Sequence, residues 1–163
     1  MGARIEMIMP EAYSTVDALK SVREKITTDF FVVPCDVLTD FPLQTLMDSF
    51  RMNDPALLSL FVSTATHEYV GASLKVHDDV TLVGMDDMNE RLVMLDFKEN
   101  LSDPYEHVDI YMPLLDELGT VNVYSQLIDS HVYLMKRWML DWIFELTEMD
   151  DSVESIKMIC YHC

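Results

Sequence analysis

The chain has 163 residues, half of them hydrophobic, which fits one globular domain with a real core. It carries 29 acidic against 11 basic residues, a formal net charge of -18. A surface of that sign repels nucleic-acid phosphates and anionic lipids, and it suits divalent cations or a basic protein partner.

Arg4–Met9 (RIEMIM) reads as a short strand. Ser14 then stands as an N-cap, with Asp17 three residues on as an acidic variant of the capping box. Val16, Leu19, Val22 and Ile26 follow at three- and four-residue spacings, so Thr15–Ile26 is predicted to be one amphipathic helix. Asp29–Asp36 is a continuous apolar run, the pattern of a parallel strand covered on both faces. Pro42 sits at the first turn of a second helix, where its missing N–H does no harm, and Leu43, Leu46, Met47 and Phe50 form the apolar face. Leu57–Val62 reads as another buried strand. The alternation of strand and helix predicts a doubly wound α/β arrangement.

The rest is less regular. Ser63–Asp79 is polar and reads as a variable loop. Thr81–Met85 and Arg91–Phe97 flank the turn DDMNE as a β-hairpin. Lys98–Tyr105 is a connection, His107–Met112 a strand, and Pro113–Leu118 a helical turn ending at Gly119. Val121–Tyr124 and Leu127–Leu134 are predicted strands. Lys136–Leu146 is a helix rich in large apolar residues, and Asp151–Ile159 is a last helix. Neither a secretory signal nor a bilayer-length apolar run is visible, and the start lacks the pattern for N-myristoylation. Three cysteines make no disulfide framework, so a cytosolic setting is expected.

Four stretches in order carry a resemblance: STVDALKSVREKITTDFFVVPCDVLTD, PLQTLMDSFRMNDPALLSLFV, VGMDDMNERLVML and LIDSHVYLMKRWMLDWI. On them the chain resembles the gamma-subunit family of translation initiation factor 2B, a guanine nucleotide exchange complex. The resemblance implies a nucleotidyltransferase-like fold, similar to sugar-nucleotide pyrophosphorylases: a mixed, mainly parallel, Rossmann-type sheet flanked by helices. Residues 1–63 would form a βαβαβ half, 64–80 a variable loop, and 81–163 the hairpin, strands and C-terminal helices of one partial domain. Active enzymes of that fold have a Gly-rich loop whose backbone N–H groups cradle a triphosphate. This chain has four glycines, none clustered. It therefore reads as an internal piece, incomplete at the N-terminal edge of its sheet.

The resemblance also assigns candidate site residues. Asp36 falls where active relatives hold Mg²⁺, whose role is to neutralise the triphosphate and the leaving pyrophosphate. One carboxylate rarely suffices for Mg²⁺, so Asp36 is expected to be vestigial, a structural acid at a strand end. Ser14-Thr15-Val16-Asp17 stands where relatives carry a Gly-Thr-Ala-like segment, and here the N-cap role explains Ser14. Asp129-Ser130-His131-Val132-Tyr133 replaces Asn-Ala-Gly-Ile-Tyr, so Asp and His would crowd a sugar. Lys98 stands near the position of a phosphate-contacting lysine but reads as a solvated strand-end residue.

Other groups read structurally. Cys35 is expected to pack on a buried strand end. Cys160-Tyr161-His162-Cys163 lacks a fourth zinc ligand. His67, His77 and His107 are scattered without a pattern. Trp138, Met139, Trp142 and Ile143 are core candidates, and any that prove exposed would mark a subunit contact.

The reading that follows is a non-catalytic subunit of the cytosolic exchange complex, assembled with its epsilon subunit and regulating GDP/GTP exchange on initiation factor 2. It has no cofactor, no nucleic-acid partner and no membrane. The alternatives are a Mg²⁺-dependent sugar-nucleotide pyrophosphorylase, which would bind nucleotide, or a fragment without independent function.

Overall fold

The computed structural model describes residues 5–9, 14–63, 80–86, 91–98, 113, 116–117, 119–149, 156 and 159. The chain divides into two units: Met1–Ser59 with His131–Cys163, and Leu60–Ser130.

In the first unit α1 spans Thr15–Val22. Ser14 caps it, its Oγ accepting the Asp17 N–H at 3.0 Å, as the spacing predicts. A 3₁₀ turn, Arg23–Lys25, tightens the last turn, so the predicted helix to Ile26 is observed in two pieces. Val16 and Leu19, three residues apart, are its buried face. β1 is only Phe30–Val32. α2 spans Leu43–Asn53 behind Pro42, burying Leu46 and Phe50 one turn apart. Asp54 ends it in the left-handed region (φ 47°), donating its N–H to the Phe50 carbonyl at 3.0 Å. β2, Leu57–Ser63, and β6, Leu127–Met135, each run from one unit into the other. α3 spans Met139–Met149.

β1, β6 and β2 form a sheet in that order. β1 pairs antiparallel with β6 through Phe30↔Met135, Phe31↔Leu134 and Val32↔Tyr133. Continuing that register by two residues would set Pro34 against His131. Proline has no N–H to give to a ladder, and His131 has φ 57°, so the β1–β6 pairing stops at Val32↔Tyr133 while β6 itself continues to Leu127. This is why the predicted strand Asp29–Asp36 ends early. The core of the unit is built where α1 packs against α3. It gathers Val16, Leu19, Tyr133, Met135, Met139, Leu140, Ile143, Ile156 and Ile159, all buried. Thr147 is a buried polar residue of α3 whose hydroxyl is satisfied by donating back to the Ile143 and Phe144 carbonyls.

The second unit holds β3 (Val80–Asp86), β4 (Leu92–Lys98) and β5 (Val121–Tyr124) in the order β4-β3-β5. β3 pairs antiparallel with both neighbours, so the predicted hairpin is observed. The β3–β4 register slips between Gly84 and Met85. A Cβ on Gly84 would meet Met94 Cβ at 3.0 Å and Val121 Cγ1 at 3.3 Å, so glycine permits the approach of both flanking strands. The Asp86 N–H closes the hairpin onto the Arg91 carbonyl at 3.0 Å.

The mixed α/β class is observed. Among the described residues each pairing with a defined register is antiparallel, including that of β1, which falls in the apolar run that predicts a parallel strand. Ile5–Met9 is also corrected: it is no strand, and Ile5, Met7 and Met9 are exposed. A strand needs a ladder, and no pairing of this segment occurs among the described residues. Pro113, Asp116 and Glu117 are helical and Gly119 follows at φ 73°, matching the predicted turn. Ile156 and Ile159 are helical within the predicted last helix. The predictions over 64–79, 99–112 and 150–155 lie outside the described residues.

Candidate functional site

Asp36 stands in an exposed turn with Cys35, just beyond the end of β1. It makes no hydrogen bond or ion pair among the described residues. Nor is any group of three or more His, Cys, Asp or Glu gathered to hold a metal among them. A single exposed carboxylate does not fill the oxygen-rich shell that Mg²⁺ requires. Cys35 corrects an expectation: it is an exposed free thiol, because the ladder that would have buried it stops at Val32.

The other candidate residues are not brought to Asp36 by any described contact. Ser14 is used as the α1 cap. Asp129 is 8% exposed, and the Ser130 hydroxyl donates to the Leu60 carbonyl at 2.6 Å. His131 is exposed, yet its φ of 57° is the left-handed region that favours glycine. The backbone thus has a conformation that favours glycine, while the imidazole meets the Tyr133 ring edge-on, with Nδ1 3.3 Å from the phenol oxygen. Tyr133 itself lies in the core. The Lys98 side chain, His67, His77, His107 and Cys160–Cys163 lie outside the described residues. Of the aromatic helix, Met139 and Ile143 are core, Trp142 packs against the core, and Trp138 is 54% exposed.

A polar network went unnoticed in the sequence. At the β6–α3 junction Lys136 and Arg137 are the one adjacent pair of cations in a chain of net charge -18, which was the available signal. The Arg137 N–H donates to Asp29 Oδ1 at 2.9 Å, and its Nε donates to the Ile26 carbonyl. Its Nη1 lies 3.3 Å from Asp141 Oδ1, charge-paired but off the hydrogen-bond direction. Arg23 Nε donates to the same oxygen at 2.8 Å and stacks its guanidinium 4.7 Å from the Phe144 ring centroid. The hydrogen bond from Arg23, and then Arg137, hold the Asp141 carboxyl below its ordinary pKa. Lys136 binds Asp54, faces Asp29 at 3.8 Å, and stands over the Phe50 ring. The Asp54 hydrogen bond, outweighing partial desolvation, raises the Lys136 pKa. These residues tie α1, β1, α2 and α3 together; they are a structural clasp of the first unit.

The chain is 27% identical over 150 residues to translation initiation factor eIF2B subunit gamma of Schizosaccharomyces pombe, covering 92% of this chain and 31% of that protein. The corresponding subunits of Caenorhabditis elegans (26% identical, 85% of this chain, 34% of that protein) and Dictyostelium discoideum (24%, 85% and 33%) match as well. Over most of its length the chain is similar to gamma subunits of eIF2B. No family model matches it. It spans about a third of the length of these curated gamma subunits. The resemblance read from four ordered stretches is therefore borne out by similarity along most of the chain. No helix among the described residues is long and apolar enough to cross a membrane.

Proposed function

We propose that this chain works as a non-catalytic, nucleotidyltransferase-like part of an eIF2B gamma-type subunit in translation initiation. In this reading it assembles in the cytosol with the epsilon subunit of the exchange complex and contributes to the regulation of GDP/GTP exchange on initiation factor 2. The observation that carries the reading is the similarity to gamma subunits over 85–92% of the chain. Two features support it. Asp36 is an exposed acid, and among the described residues no group of three or more His, Cys, Asp or Glu gathers to hold a metal. Trp138 offers a large, half-exposed aromatic of the kind that anchors protein interfaces. The parallel, Rossmann-type completion of the sheet belongs to the same proposal.

Two measurements test it. The chain co-expressed with an epsilon subunit should co-elute with it on size exclusion, and Trp138→Ala should weaken that association about tenfold or more, the range of an interface hot spot. Isothermal titration with nucleoside triphosphates and GDP-mannose, with and without Mg²⁺, should show no binding. Magnesium-dependent binding that disappears in Asp36→Asn would overturn the non-catalytic reading and favour a pyrophosphorylase.

A further inference from the structure

The segment between β1 and α2 has an exposure that its composition does not favour. Leu38 is 101% exposed and Val33 50%, and Phe41 and Leu43 are exposed as well. Isolated exposed apolar residues are ordinary, but here four fall within eleven residues. The β1–β6 ladder ends at Val32, just before Pro34 and the left-handed His131, so Val33 and its successors leave the sheet. Pro34 and Pro42 bracket the segment and restrict its backbone, and the Phe41 N–H bonds the Thr39 hydroxyl at 3.0 Å. Part of the entropy cost of ordering this segment against a partner is thereby already met.

The charges carried by this part of the chain have one sign. From Ile26 to Phe50 the chain contains Asp29, Asp36, Asp40 and Asp48 and not one lysine or arginine. Asp29 is held by Arg137 and Lys136, and Asp48 pairs with Arg51 at 3.6 Å. Asp36 and Asp40, the two that flank Leu38, have no such partner among the described residues. We infer that Val33–Leu43 is a docking strip for a protein partner whose contact surface sets apolar side chains among lysines or arginines. A second copy of this chain would bring aspartate against aspartate. Nucleic acid and anionic lipid would bring phosphate against it. The inference is independent of which complex the chain enters.

The test uses the full chain, ¹⁵N-labelled, and two synthetic peptides of equal positive charge. One alternates lysine with leucine and phenylalanine; the other alternates lysine with serine. The first should saturate and shift amide signals of residues 33–43. Its affinity should fall at least tenfold in Leu38→Ser and in the double variant Asp36→Asn/Asp40→Asn. The double variant Glu145→Gln/Glu148→Gln, at exposed acids of α3, removes the same charge elsewhere and should leave the affinity within about twofold. All three sets of changes are at exposed positions, so the fold is retained, which circular dichroism checks. Equal binding of the lysine–serine peptide, equal loss in the α3 variant, or no binding of either peptide would overturn the inference. So would concentration-dependent self-association in ultracentrifugation that Leu38→Ser abolishes.

Discussion

Ile143→Ala probes the core on which the first unit depends. Ile143 is 1% exposed and sits on α3 among Val16, Leu19, Met139 and Ile156. The substitution removes three carbons, worth about 0.8 kcal/mol each, so about 2.4 kcal/mol in transfer free energy. The cavity left behind adds to this, because a close-packed core relaxes only in part, and the total should reach about 3–4 kcal/mol. Both tryptophans of the chain, Trp138 and Trp142, lie at this helix in the same unit, so intrinsic fluorescence reports its unfolding. In urea, with a slope of about 1–2 kcal/mol/M, the midpoint should fall by roughly 2 M. Glu145→Ala, exposed on the same helix, should change stability by no more than about 0.5 kcal/mol. Ile143→Val covers the case in which the alanine variant does not fold, with an expected loss of about 0.5–1.5 kcal/mol. If Ile143→Ala and Glu145→Ala shift the midpoint equally, α3 does not bury the face described, and the packing of α1 on α3 is wrong.

Two further outcomes follow from polar groups. Ser14→Ala removes the acceptor for the Asp17 N–H and should cost about 1 kcal/mol, lowering Tm, while Ser14→Asn should restore most of it. A Ser14→Ala variant with unchanged Tm would return Ser14 to the list of ligand-binding candidates. Asp141 has its folded pKa below the ordinary 3.8, chiefly through Arg23. The stability it contributes is therefore present above that value and lost as pH falls through the lower folded pKa. Unfolding midpoints measured from pH 5 to pH 2 should converge for wild type and Asp141→Asn at the acid end and separate above about pH 4, less so at high salt. Curves that run parallel across the whole range would show that the Arg23 pairing contributes nothing.

Local chemistry made much of this protein legible in its sequence. The Ser14 cap, the Val16/Leu19 and Leu46/Phe50 spacings, the β3–β4 hairpin, the Gly119 turn and strands β5 and β6 all follow from residues within a few positions of one another. The similarity to gamma subunits was readable for a related reason: it is carried by short stretches kept in order along the chain. Exposure and pairing were not readable in this way. Asp29–Asp36 has the composition of a long buried strand, but its length is set by its pairing with β6, which ends at Val32↔Tyr133, two residues short of Pro34 and of the left-handed His131. Where that ladder between segments about a hundred positions apart stops, Cys35, Asp36 and Leu38 are exposed, which changes what each can do. The clasp is decided likewise: Arg23 meets Asp141 across 118 positions and Lys136 meets Asp54 across 82. Caps and periodicities are interactions of neighbours in sequence, so the sequence states them. A ladder's end and an ion pair's partner are set by which distant segments fold together, and only the tertiary structure decides that.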